Sequence, residues 1–335
     1  MTVTVETGAR LHFGFRTISP EHERLFGSLG VALDEPRVAV SAEPADSIDC
    51  EHELAAEYAD RAASLLSVDG ARVTVDSHLS RHVGLGSGTQ LALATLTAIA
   101  CAHDLEPAVR ERAPALGRGR RSGIGVATFE SGGFVVDAGR PTESVLSRDP
   151  TDPGANTAGE WTVPETVGRW DVPDSWRFVL VRPTGEAGRS GRAEAKSIRE
   201  AMKRADPEIA ERIESAIQSF LLPGLEENRI DVFGRGLSTI DLLNGSWFRP
   251  AQGAVYRPAV ASIIDTLGRS PAVFGHGQSS WGPAVYGLTN AAAVGEARSA
   301  GRRALEEASL EGTVSVLEPR NRGVMIDGNI PSIKY

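Results

Sequence analysis

Residues His82-Val83-Gly84-Leu85-Gly86-Ser87-Gly88-Thr89-Gln90 place three glycines within five positions, directly before a long apolar segment. Glycine lets a backbone turn tightly and approach a ligand with no Cβ in the way. A helix start adds free N–H groups and the positive end of the helix dipole, and both favour an anion. Gly84, Leu85, Gly86, Ser87, Gly88 and Thr89 therefore read as a phosphate cradle. The Ser87 and Thr89 hydroxyls can add bonds to phosphate, and Ser87 can also reach a magnesium ion. No lysine follows the glycines, so the loop is not of the Walker A type. The plain alternative is a glycine turn with Ser87 as a helix cap.

The elements that must hold this loop are legible in the hydrophobic pattern. Period-2 alternation predicts strands over Thr2–Glu6, Ala9–Phe15, Arg37–Ala42 and Ala71–Ser77. Arg10 and His12 flank Leu11 and so share one strand face. Glu53–Leu66 predicts a helix, and Thr89–His103 a buried one. A second glycine-rich passage, Arg118–Gly139, carries a strand at Gly133–Asp137. Five prolines among polar residues between 140 and 175 predict an exposed connection and a boundary between domains 1–175 and 176–335. The second half predicts a strand at Arg177–Arg182 and helices at Arg192–Arg204, Pro207–Phe220, Ile230–Leu243 and Pro258–Leu267. A strand-turn-strand at Ala272–Leu288, a helix at Asn290–Leu310 and a strand at Thr313–Glu318 follow. Segregated strands and helices indicate an α+β fold.

A chain of 335 residues is long for one core and suggests two packed domains. A net charge of −9 repels nucleic acid. No apolar stretch reaches the roughly 18 residues of a membrane span, and the N-terminus lacks a secretory pattern, so a cytoplasmic location is expected. Three of the 35 basic residues are lysines. Arginine suits bidentate binding of phosphate and carboxylate, although a GC-rich genome or a salt-adapted surface gives the same bias. Cys50 and Cys101 form no CxxC and read as reduced thiols. His78 and His82 have HxxxH spacing but fall at a strand end and a loop, which is no zinc site. His276 is the other histidine with a claim to a site.

The loop resembles the second motif of the GHMP kinases, without its leading proline. Ser122-Gly123-Ile124-Gly125-Val126, followed by Ser131-Gly132-Gly133-Phe134, resembles the motif that carries the kinase aspartate. Gly125 stands at the aspartate's place, and a glycine cannot deprotonate a substrate hydroxyl. The chain is similar over most of its length to the β-ribofuranosylaminobenzene 5′-phosphate synthase family of methanopterin biosynthesis. The similarity runs through Ala9-Arg10-Leu11-His12-Phe13-Gly14, Gly27–Leu33, Arg121–Gly139, Leu222-Pro223-Gly224-Leu225, Asp231-Val232-Phe233-Gly234 and Gly277-Gln278-Ser279-Ser280-Trp281-Gly282-Pro283. The chain departs from the family at Phe15-Arg16-Thr17, where an aspartate is usual, and at Arg140, where a histidine is usual.

The resemblance implies a two-domain GHMP kinase-like fold. It implies condensation of phosphoribosyl pyrophosphate with 4-aminobenzoate or 4-hydroxybenzoate, releasing pyrophosphate and CO2. Magnesium is the implied cofactor and no pyridoxal phosphate is needed. The implied partners are these small molecules and, at most, a second copy of the chain, with neither nucleic acid nor membrane. Ser122, Gly123, Gln278, Ser279, Ser280 and Gly282 then join the phosphate site. Arg10 pairs with phosphate or carboxylate, and His12 handles a proton or positions the ring. Glu130 and Asp137 stabilise a metal or the sugar cation, the alternatives being a turn residue for Asp137 and a solvated loop carboxylate for Glu130, and Trp281 packs. An ATP-dependent small-molecule kinase and a non-catalytic GHMP-fold binding protein are the rivals.

Overall fold

The computed structural model describes residues 1–147, 161–184, 191–280 and 282–330. The alternation of the N-terminal third builds one long antiparallel pair. Strands β1 (Val3–Thr17) and β2 (Arg24–Pro44) run from Val3 opposite Ala42 to Thr17 opposite Phe26. The two strands expected at Thr2–Glu6 and Ala9–Phe15 are thus one strand. It is interrupted by register shifts between Gly8 and Arg10 and between His12 and Gly14. Such bulges re-aim side chains. Gly14 takes φ +114°, and a Cβ there would meet the Asn244 carboxamide at 2.6 Å. Glycine therefore serves both the bend and the close approach.

After α1 (Glu53–Leu66), β3 (Ala71–Ser77) and α2 (Ser87–Ala102), the chain passes through the short α3 (Val109–Arg112) and a 3-10 turn. It continues through α4 (Ile124–Ser131), β4 (Phe134–Asp137), β5 (Arg140–Pro141), α5 (Thr142–Leu146) and β6 (Thr166–Trp170). β4 and β6 extend the first sheet, and β3 and β5 pair with β2. α2 is buried almost all round, so most of its side chains are apolar, with Gln90, Thr95 and Thr97 as buried polar exceptions. The proline-rich connection is only partly loop, since β5, α5 and β6 lie in it. Residues 148–160, with Pro150 and Pro153, lie outside the described residues.

The second half opens with β7 (Trp176–Pro183) and the helices α6 (Gly191–Met202), α7 (Pro207–Ala216), α8 (Leu222–Glu226), α9 (Ile230–Gln252) and α10 (Pro258–Gly268). Strands β8 (Gly275–Gln278) and β9 (Val285–Asn290), helix α11 (Val294–Glu307) and strand β10 (Gly312–Leu317) follow. The second sheet has the order β10-β7-β9-β8, all antiparallel. Its period-2 alternation serves two cores. Phe178, Leu180, Tyr286 and Leu288 join the main core, while Val179, Val181 and Val285 pack with α10 and α11. Phe13 of β1 meets Tyr286 with ring centroids 5.0 Å apart, which ties the sheets together. The chain then returns, and β11 (Met325–Ile326) pairs with β1.

α9 runs past the predicted end at Leu243. Asn244 is a poor helix former when its amide competes for local backbone. Here the amide accepts from Phe15 N–H at 2.8 Å and donates to the Phe15 carbonyl at 3.0 Å, so much of its bonding is spent across the interface.

Candidate active site

Gly86 caps α2 at φ +83°, and among the described residues no side chain bonds to the cap. The Thr89 amide donates to the Gly86 carbonyl at 3.0 Å, and the Ser87 and Gly88 amides are left for a ligand, as an anion site requires. Arg10 lies beside them. It donates to the Gly84 carbonyl at 2.8 Å, and a Cβ on Gly86 would stand 3.0 Å from its Cγ. Ser87, Gly88 and Thr89 are all half-buried on the first turn. Leu85 contributes backbone only: its side chain is buried in the core and its carbonyl accepts the Arg10 amide.

The turn after β8 closes onto this loop, but not in the way the motif implied. The Ser279 hydroxyl is fully buried, donates to the Gly84 carbonyl at 2.7 Å and accepts the His12 amide at 3.1 Å. It is a bridge inside the protein, with its proton already committed. Gly282 sits so close that a Cβ would meet the Val83 carbonyl at 2.3 Å. Gln278 spends its side-chain amide on the Gly282 carbonyl. Ser280 takes φ +57° and donates its amide to the His12 carbonyl. Trp281 lies outside the described residues.

His12 is 5% exposed, and its ring edge meets Phe15. Its Nδ1 accepts the Gly14 amide at 3.2 Å, which leaves the proton on Nε2. Burial, aided by the nearby Arg10 charge, lowers its pKa to about 3, so the ring is neutral at ordinary pH.

The two acids are placed elsewhere than expected. Asp137 accepts amides from Gly123 and Gly139, both at 2.8 Å, and from Ser28. Burial pushes its pKa up to about 6 despite these bonds. It staples the turn before α4, and the Gly123 amide is spent on it rather than on phosphate. The Ser122 hydroxyl accepts the Ile124 amide. Glu130 holds Arg110 at 2.5 Å, about 7.5 Å along α4 from Gly125. Both carboxylates are thus committed to partners within the fold. Among the described residues no three His, Cys, Asp or Glu side chains lie close enough to hold a metal.

The other end of α4 does reach the loop. Gly125 rests on Thr89, and the buried Gln90 accepts the Thr7 hydroxyl and donates to the Gly125 carbonyl, both at 2.9 Å. A sequence profile described as the GHMP kinases N terminal domain matches residues 52–133, the span that carries this loop. The β-ribofuranosylphenol 5′-phosphate synthase of Methanothermobacter thermautotrophicus is 33% identical over 96% of this chain and 98% of its own. That of Archaeoglobus fulgidus is 32% identical over 96% and 99%. The chain belongs to the β-ribofuranosylphenol 5′-phosphate synthase family. Its fold is that of the GHMP kinases. Methanococcus jannaschii mevalonate kinase superposes with a TM-score of 0.65 at 12% identity, covering 95% and 98% of the two chains. Streptococcus pneumoniae phosphomevalonate kinase gives 0.64 at 12% identity over 96% and 100%.

This synthase-family member also carries site residues that the motifs did not announce. Arg118 is laid against the first turn of α2: a Cβ on Gly88 would stand 3.2 Å from both of its terminal nitrogens. It stacks over the Tyr58 ring at 5.1 Å, and burial alone lowers its pKa to about 10. Among the described residues no carboxylate pairs with it. Arg10 against Gly86 and Arg118 against Gly88 thus flank one loop. The signal was the Gly117-Arg118-Gly119 run, a cation between two glycines. Asp241, Asn244, Gly245 and Phe248 fall at i, i+3, i+4 and i+7 and line a cavity with His12. That spacing was readable but looks like any amphipathic helix.

Proposed function

We propose that this protein transfers the phosphoribosyl group of phosphoribosyl pyrophosphate to an aromatic acid in methanopterin biosynthesis. CO2 and pyrophosphate are released. The observation that carries this reading is the pairing of an intact phosphate cradle with Gly125, packed on Thr89 where a kinase carries its aspartate. Family membership supports it. The relatives are named for a phenol product, and decarboxylative ribosylation of 4-hydroxybenzoate gives a phenol, so this acid is favoured over 4-aminobenzoate.

Each part of the loop region has a task in this scheme. The α2 amides, Arg10 and Arg118 neutralise phosphate charge, which makes pyrophosphate a better leaving group. The Ser279 bridge fixes Gly84 and His12 in one frame. The described residues offer a resident metal no carboxylate cage, so magnesium enters as part of the magnesium–pyrophosphate substrate. Ser87 is the protein hydroxyl on offer to it. Loss of CO2 restores aromaticity and so needs no pyridoxal phosphate. No helix among the described residues is long and apolar enough to cross a membrane, in keeping with a cytoplasmic enzyme.

The test is incubation with phosphoribosyl pyrophosphate, magnesium and carboxyl-labelled 4-hydroxybenzoate or 4-aminobenzoate. Release of labelled CO2 that requires phosphoribosyl pyrophosphate is expected. ATP-dependent phosphorylation of a small alcohol, with no label released, would overturn the reading.

A further inference from the structure

Between β1 and α9 lies a half-open cavity of about 60 Å³ that the phosphate site does not use. Its walls are aromatic or apolar: Phe15, Phe248, Val255 and the ring of Tyr256. Its rim includes His12 and Ser280, both bonded into the Ser279 bridge to the phosphate loop. Gly245 lets the 253–257 segment close the far side, since a Cβ there would meet Val255 Cγ1 at 2.6 Å. A flat ring entering from the loop side finds hydrophobic faces on both sides, which is the usual make-up of a small-molecule pocket.

Inside it stands one carboxylate, Asp241. Oδ1 accepts the Gln278 amide at 2.8 Å and Oδ2 accepts the Tyr256 hydroxyl at 2.5 Å. A carboxylate has about four acceptor positions, so each oxygen keeps capacity for another donor. Asn244 is spent on the Phe15 backbone. Among the described lining residues, Asp241 is therefore the strong acceptor facing the cavity, and no cation stands beside it. Asp241 ties α9 to β8 and to Tyr256, and burying a carboxylate carries a cost.

We propose that this cavity holds the ring of the acceptor acid and that Asp241 is the general base for its 4-hydroxyl group. The inference rests on the function proposed above and extends it to one catalytic residue. Asp241 takes the hydroxyl proton while the oxygen electron pair moves into the ring. The ring carbon bearing the carboxylate then forms its bond to the anomeric carbon, and pyrophosphate leaves with the electron pair of the old C–O bond. The C–CO2 bond breaks next. Its electron pair restores the aromatic ring and returns a pair to the oxygen, which recovers the proton from Asp241. No oxidant, reductant or external proton is consumed. Burial holds the Asp241 pKa up at about 7 against the two hydrogen bonds, close to where a base works best.

The test compares kcat of the wild-type protein and Asp241→Asn at saturating phosphoribosyl pyrophosphate and pH 8. One acceptor is 4-hydroxybenzoate. The other is 3,5-difluoro-4-hydroxybenzoate, whose more acidic hydroxyl is already largely ionised. A loss of about 100-fold or more is expected with the first and of less than about 10-fold with the second, because general bases contribute roughly 10²–10⁴. Equal losses with both would show a structural role and overturn the proposal. Wild-type protein inactive with either acid would instead overturn the functional reading.

Tyr256→Phe keeps the carboxylate and serves if Asp241→Asn fails to fold. Losing a bond to the charged form raises the carboxyl pKa. The acid limb of kcat with 4-hydroxybenzoate should move up by about one pH unit, and that with the difluoro acid should not. The other titratable groups facing Asp241 are His12 from β1, neutral above about pH 3, and Tyr286 from β9, whose pKa lies well above its usual value. Neither titrates in this window. A limb that stays put, or moves with both acids, overturns the assignment.

Discussion

Gly125 rests against Thr89: a side-chain carbon on residue 125 would stand 3.0 Å from Thr89 Cγ2. The contact ties the start of α4 to the first turn of α2, at the motif position where the GHMP kinases carry an aspartate. Restoring the acid should therefore not restore a kinase. Gly125→Asp is expected to lower stability by about 1–3 kcal/mol through overpacking and to weaken the synthase reaction, with no ATP turnover. Thermal melts and a coupled ATP assay check both halves.

Gly86→Val and Ser87→Ala should fail for different reasons. At φ +83° a β-branched residue is strained, and its Cβ would press on Arg10 Cγ at 3.0 Å. The KM for phosphoribosyl pyrophosphate should rise more than about tenfold. Ser87→Ala removes one hydroxyl from bound phosphate, worth about 1–3 kcal/mol if charge-assisted, and leaves the fold alone. Calorimetric titration with phosphoribosyl pyrophosphate separates them. Wild-type affinity in Gly86→Val would make residues 84–89 a structural turn.

Ser279→Ala tests the bridge. The Gly84 carbonyl would keep Arg10, but the buried His12 amide would lose its acceptor. Leaving such a group unsatisfied costs about 1–3 kcal/mol. Urea unfolding should show that loss. A Ser279→Ala protein as stable as wild type, but with weakened phosphate affinity, would return Ser279 to a direct role at the ligand.

Much of this architecture was legible because it is periodic. Alternation placed β1 and the Arg37–Ala42 end of β2, though not its first thirteen residues, and length and composition placed α2. The glycine loop was legible because a strand, three glycines and a helix in that order have few other uses. What sequence reading missed is set by contacts distant in the chain. Ser279 looks like a phosphate ligand until Gly84 and His12 are seen to occupy its hydroxyl. Glu130 and Asp137 look like free acids until Arg110 and the Gly123, Gly139 and Ser28 amides take them. Arg118 lies 30 positions beyond Gly88 in the chain yet sits against it. Helix α4 was hidden because its glycine-flanked start reads as loop.

Arg118 should matter to ligand more than to fold. A buried guanidinium with no carboxylate partner among the described residues carries a desolvation cost that bound anion would offset. Arg118→Gln is expected to raise the KM for phosphoribosyl pyrophosphate about tenfold or more and to weaken product inhibition by pyrophosphate. The melting temperature should change little. A large fall in melting temperature with unchanged KM would mean that the stack on Tyr58 is its role.

His12 gives a pH signature that needs no substrate. Its folded-state pKa of about 3 lies far below the usual histidine value of 6.5, because the buried ring resists charge and Arg10 adds repulsion. Between these values the unfolded chain binds a proton that the folded one does not. The contribution of this group to stability is therefore full above about pH 6.5 and is lost as pH falls toward 3. Asp137 and Asp241 run the other way: their pKa values, raised to about 6 and about 7, favour the folded state as pH falls through those values. The net profile thus mixes opposing slopes, and the difference between wild type and His12→Gln isolates one of them. A glutamine side chain does not titrate, so the variant should gain on wild type by about 3 kcal/mol between pH 7 and pH 4. Urea unfolding at both pH values measures it. A difference that stays constant would show that the imidazole charges freely in the folded protein, and His12 could then not be the neutral, Nε2-protonated ring that this site presents to its substrate.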